Sequence, residues 1–191
     1  MSNTPLERLY ELLSGKRVAL VFLFITAVMT VVMLRIDAEL AGFGGRGLLY
    51  LQLAFTTSNF TGILSSWKSG GVDLLLSSLW LYFIHAASYA VLLASALAYF
   101  SSARGAIVGG DIRFSDRIVC LLPFGAAVVD FIGITLIYSL FTGRELSAAM
   151  VMALSVVASL KWGSLGLCLI LVLKSYFSFR KAMKNQAQKS S

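Results

Sequence analysis

Two full charges and a single imidazole fall inside long apolar runs of this 191-residue sequence: Asp130, Lys161 and His85. A charge at the centre of a bilayer costs about 2.5–3.5 kcal/mol on insertion scales, so each such group needs a partner or a task. Asp130 and Lys161 sit near the middle of successive apolar runs joined by a short turn around Gly143. Antiparallel neighbours would bring them to similar depth, and that spacing predicts an Asp130–Lys161 ion pair. His85 belongs to a helical stripe of Ser78, Tyr82, His85, Ser88, Tyr89 and Tyr99. A neutral imidazole there could bond a carboxylate or change protonation near neutral pH. Tyr82, His85, Tyr89, Asp130 and Lys161 are therefore the candidate ligand-binding residues. An interhelical polar clamp is the structural alternative. Interhelical hydrogen bonds in membranes contribute only about 0.6 kcal/mol each, so a clamp of full charges gains little stability.

No complete catalytic motif accompanies these residues, and no catalytic residue is assigned. An enzyme using His85 and Asp130 as base and acid is one alternative. A proton-coupled transporter is another, but no internal repeat and little polar lining support it. Cys120 and Cys168 lie in different apolar runs without CxxC or metal-ligand spacing, so neither a metal nor a cofactor is expected. The formal charge of +7 invites a nucleic-acid reading. The cations instead cluster at the ends of apolar runs with no interleaved aromatics, which is membrane topology rather than nucleic-acid binding.

The elements that must position these groups are helices. The chain is 58% hydrophobic and 13% charged, where soluble domains carry about 25% charge. Four runs, at about 18–35, 73–100, 117–141 and 147–173, can each cross roughly 30 Å of hydrocarbon. The first is too long for a signal-peptide core and lacks a cleavage pattern, so it reads as a retained span. The expected fold is all-α: a polytopic membrane four-helix bundle forming a single domain, 1–191. In the third span, Ala126, Ala127, Gly133 and Ile134 share the Asp130 face, and Pro123 precedes it by two turns. In the fourth, Ser155, Ser159 and Gly163 form a small-residue helix-packing stripe nearly opposite Lys161.

Thr4-Pro5-Leu6-Glu7 predicts a capped start to a short amphipathic helix over 5–14, closed by Gly15 and serving as an interfacial foot. The outer loop, 36–72, opens with Gly42, Gly44, Gly45 and Gly47. It then carries one or two helices over 48–67, with Ser58 as cap and Phe60, Ile63, Leu64 and Trp67 on one face. Trp67 is expected in an outer aromatic belt. With the N-terminus inside, the inner segments hold Arg8, Lys16, Arg17, Arg104, Arg113, Arg117, Lys174, Arg180, Lys181, Lys184 and Lys189. The outer ones hold Arg35, Arg46, Lys68 and Arg144. Eleven against four favours N-in, C-in, and makes 174–191 a basic cytoplasmic tail suited to anionic headgroups.

Gln52-Leu53-Ala54-Phe55-Thr56, Phe60, Ile63-Leu64, Trp67, Tyr89, Pro123 and Asp130 together resemble a group of small, mostly uncharacterised bacterial four-span integral membrane proteins. The resemblance covers about two-thirds of the chain and implies a bacterial inner-membrane setting, but no activity. The sequence departs from the group's pattern at Tyr82, where an acidic residue is common, and at Gly133-Ile134, where a Glu-Asn pair is common. The expected function is binding of a lipid or small apolar molecule at the polar cluster. The alternative from another class is an accessory or assembly subunit, docking a membrane partner or a second copy.

Overall fold

Thr4 opens the first helix, α1 (Pro5–Leu13): its side chain accepts from the Glu7 amide, and Glu7 returns the bond to the Thr4 amide. The remaining helices of this computed structural model are α2 (Lys16–Gly44), α3 (Leu48–Gln52), α4 (Thr57–Val108), α5 (Phe114–Val119), α6 (Leu122–Thr142) and α7 (Ala148–Lys189). The structure describes residues 4–110, 114–142 and 146–189. The expected turn around Gly143, the loop cations Arg113 and Arg144 and the Lys189 side chain lie outside the described residues. Among the described residues the chain is helical with no strand, and four helices are long and apolar enough to cross a membrane.

Each long helix outruns the apolar stretch that announces it. α2 continues past residue 35 to Gly44, α4 from Thr57 to Val108, and α7 through the basic tail to Lys189. Hydropathy marks only the part matched to hydrocarbon, whereas backbone hydrogen bonding propagates wherever no Pro or Gly stops it. The third span is divided instead. Pro123 cannot donate an amide hydrogen bond, and the turn at 120–121 separates α5 from α6.

The loop expected over 36–72 is mostly helix. Gly45, at φ 75°, closes α2, and Gly47 precedes α3, where a Cβ would fall on the Asp37 carboxylate. α4 is capped by Thr56 rather than Ser58: the Thr56 hydroxyl accepts from the Asn59 amide at 3.2 Å. Phe60, Ile63 and Trp67 are buried on one face. Trp67 therefore belongs to the core, not to an outer aromatic belt, and its indole donates to the Arg46 carbonyl at 2.7 Å. Directly after it, α4 breaks at Lys68, whose φ of 54° and ψ of −164° leave the helical region.

The contacts group into two compact units, and each long helix contributes to both. The first comprises Met1–Thr26, Ser88–Ala126 and Ser164–Ser191. Its core joins Tyr10 and Leu13 of α1 to Ala94, Leu97 and Ala98 of α4 and to Cys120. The Tyr10 hydroxyl donates to the Ala98 carbonyl at 3.1 Å, and burial pushes its pKa above the ordinary tyrosine range. Arg117 of α5 donates to Glu7. The Glu7 carboxylate is held below its usual range, first by the Thr4 amide and then by Arg117. The buried face of α1, with Tyr10 and Leu13, thus rests on its own chain. The Tyr10 hydroxyl and the Glu7 carboxylate both find protein partners there.

The second unit comprises Ala27–Ala87 and Ala127–Gly163. Its core gathers Met33, Ile36 and Leu40 of α2, Leu48 and Leu51 of α3, and Phe60 and Trp67 of α4. Ile134 and Ile137 of α6 and Val151 and Leu154 of α7 complete it. The Phe60 and Phe141 rings stand 6.3 Å apart between centroids. Within this unit α6 and α7 run antiparallel, since Asp130 meets Lys161 and the space beside Gly133 is bounded by Val157. The small residue lets the helices approach closely.

Candidate functional site

Antiparallel packing of α6 on α7 sets the Lys161 ammonium 2.7 Å from the Asp130 carboxylate. The two side chains are only 12% and 5% exposed, so the pair is screened from water. Lys161 also lies 5.2 Å from the ring centre of Trp162. Asp130 neutralises Lys161 from behind, and the other side of the Lys161 chain faces a cavity of about 300 Å³.

Four helices line that cavity within the second unit. α2 supplies Thr30, Met33, Leu34 and Asp37, spaced i, i+3, i+4 and i+7 so that they share one face. α3 supplies Leu48, Leu49 and Gln52; α4 supplies Tyr82 and His85; α7 supplies Lys161 and Trp162. The lining is chiefly apolar, with Leu34, Leu49 and Trp162 exposed at its rim.

The polar groups differ in how they are satisfied. His85 Nε2 and the Thr30 hydroxyl share a hydrogen bond of 3.1 Å. Asp37 accepts from the Leu48 amide at 2.6 Å and so caps α3 from another helix, which fixes the short helix against the cavity. The Tyr82 hydroxyl is buried and has no hydrogen-bond partner among the described residues. An unsatisfied buried hydroxyl costs about 1–3 kcal/mol. With that hydroxyl sealed from the cavity, the arrangement can receive a polar group beside His85 and Lys161 while apolar walls hold the rest of the molecule.

Of the five candidate ligand-binding residues, Tyr82, His85 and Lys161 line the cavity. Asp130 stands behind Lys161 as its counter-ion. Tyr89, seven positions after Tyr82, falls in the first unit and is not part of the lining. Thr30, Asp37 and Gln52 join the lining without having been expected there. Thr30 is one hydroxyl in an apolar run, and Asp37 reads as a solvated loop carboxylate once the span is ended at residue 35. Gln52 had a signal, as the only amide side chain in the stretch 48–56.

In the small-residue stripe, Ser155 is buried and its hydroxyl accepts from the Phe55 amide at 2.9 Å. Ser159 and Gly163 are exposed, and nothing lies within 4 Å of a Cβ placed on Gly163. The stripe thus seats the α3–α4 connection at Ser155 rather than running its length against a neighbouring span. Among the described residues no cluster of His, Cys, Asp and Glu could hold a metal ion. No family model, curated protein or solved structure matches this chain.

Proposed function

We propose that this chain is a four-span integral membrane protein of the helix-bundle type, N-in and C-in, that binds a lipid or another small apolar molecule with a polar end. The observation that carries this reading is the convergence of Tyr82, His85 and Lys161 on a chiefly apolar cavity of about 300 Å³. Ligand sites between helices are built this way, from apolar walls and a few convergent polar groups, in volumes of about 300–1,000 Å³. At the lower end of that range the cavity takes a small molecule, or one end of a longer one extending past Leu34, Leu49 and Trp162.

The polar end is an acceptor or donor rather than a strong acid. Lys161 is already neutralised by Asp130, and Asp37 adds a further negative charge to the lining. A hydroxyl, carbonyl or amine end meets this wall without placing a second carboxylate beside Asp37.

Native mass spectrometry of the full chain in mild detergent tests the reading. A reproducible bound mass is expected, and His85→Leu, which changes a polar lining side chain, should lower its retention while leaving the melting temperature almost unchanged. A chain that carries no adduct in either form counts against a pocket. Obligatory co-purification with a second polypeptide would instead favour an accessory subunit, with the exposed Ser159 and Gly163 as the face to mutate.

A further inference from the structure

A second cavity, of about 240 Å³, lies in the first unit and differs in chemistry from the one above. Three helices bring cations and hydroxyls to it. Ser101 and Arg104 are one turn apart on α4, and Ser115 and Asp116 begin α5. On α7, Leu171, Lys174, Ser175 and Ser178 follow the i, i+3, i+4, i+7 spacing of a single face.

The charges are unequal. Asp116 accepts from one Arg104 terminal nitrogen at 3.0 Å, which orients the guanidinium but leaves its other N–H groups available. Lys174 forms no ion pair among the described residues. Arg104 and Lys174 against Asp116 leave one net positive charge on the wall. None of the four serine hydroxyls makes a hydrogen bond among the described residues, so up to four more donors face the same space.

The geometry points to a binding site for a phosphate group, held by the Lys174 ammonium, the oriented Arg104 fork and the hydroxyls of Ser101, Ser115, Ser175 and Ser178. Arg supplies directed N–H donors to phosphate oxygens and Lys a point charge, and short hydroxyls complete the shell. Two sources share this chemistry: the headgroup of an anionic phospholipid, and free inorganic phosphate. The lipid source rests on the N-in, C-in reading proposed above, which puts Arg104 and Lys174 at the cytoplasmic headgroup level, where basic pockets between spans bind such lipids. The anion site itself does not depend on orientation.

The full chain, delipidated in mild detergent, is titrated with phosphatidylglycerol and with phosphatidylcholine and read by native mass spectrometry. In parallel its melting temperature is followed in inorganic phosphate against chloride at equal ionic strength. Lys174→Gln should weaken the phosphatidylglycerol adduct about fivefold, one interfacial cation's worth. The tail control Lys184→Gln should leave it unchanged. Ser175→Ala with Ser178→Ala should weaken it further without altering charge, which separates a shaped site from diffuse attraction. Retention of phosphatidylglycerol over phosphatidylcholine with that pattern supports the site and identifies a lipid. A Lys174-dependent rise in melting temperature with phosphate, without lipid selectivity, supports the site and identifies a soluble anion. Equal effects of Lys174→Gln and Lys184→Gln, or no response to either ligand, overturn it.

Discussion

Asp130 and Lys161 are each costly to bury alone, and their attraction roughly offsets that cost only while both are present. Removing one partner of a buried pair typically costs about 3–5 kcal/mol, whereas replacing both with apolar residues of similar volume is often near neutral. Asp130→Leu and Lys161→Met should therefore each lower unfolding stability in mixed detergent by several kcal/mol, and the double variant should recover most of the loss. Additive losses would mean the two groups are not coupled. The double variant also separates roles: if Lys161 contributes a contact in the cavity, it should fold yet retain less ligand. This pair was legible in the sequence because two opposite charges near the middle of adjoining spans have few other ways to be satisfied. Asp37 was not legible. Its partner is the Leu48 amide, and a carboxylate's choice of backbone amide leaves no mark on residue spacing.

Among the elements, α4 holds a strained position. Lys68, at φ 54° and ψ −164°, occupies a region that is almost exclusively glycine's, at a cost of about 1–3 kcal/mol. Lys68→Gly relieves that strain and loses about 0.5–1 kcal/mol through greater freedom of the unfolded chain. The net expectation is a gain of about 1 kcal/mol, read as a higher melting temperature. A loss would mean that the Lys68 side chain itself holds the bend. α1 supplies a pH-dependent contact. The Glu7 carboxyl titrates below its ordinary 4.5 in the folded chain, first through the Thr4 amide and then through Arg117. Its stabilising effect is thus fully present above that ordinary value and is lost as pH falls through the depressed one. Amide protection across α1, corrected for intrinsic exchange, should fall in that acid window, and Glu7→Gln should flatten the dependence. The capping box was readable from four consecutive residues. The docking of Tyr10 beneath Ala98 was not, because a partner 88 residues away is decided by tertiary packing.

At the scale of the whole chain, apolar windows located four membrane-length helices, but helix ends and the folded loop escaped them. Residues 36–44 read as loop, yet they continue α2 and bury Leu40, whereas the helical face of Phe60, Ile63 and Trp67 was readable from its spacing. Burial also divides the spans. α2 and α7 bury 11% of their apolar windows, against 44% for the α4 window and 39% for the α5–α6 window. The apolar surface of α2 and α7 is thus the surface that the described residues leave uncovered. The orientation proposed from the cations at the helix ends can be tested with the chain's own thiols as a quiet background. Cys120 and Cys168 are free but buried, so a membrane-impermeant maleimide should label neither in intact cells. Single added cysteines at Ser58→Cys and Asn185→Cys, both exposed positions, report the two faces. With eleven inner cations against four outer ones, Ser58→Cys should label in intact cells and Asn185→Cys only after the membrane is opened. The reverse pattern would place Arg104 and Lys174 on the outer face. It would remove the cytoplasmic-leaflet lipid as the phosphate source while leaving the cavity beside Tyr82 untouched.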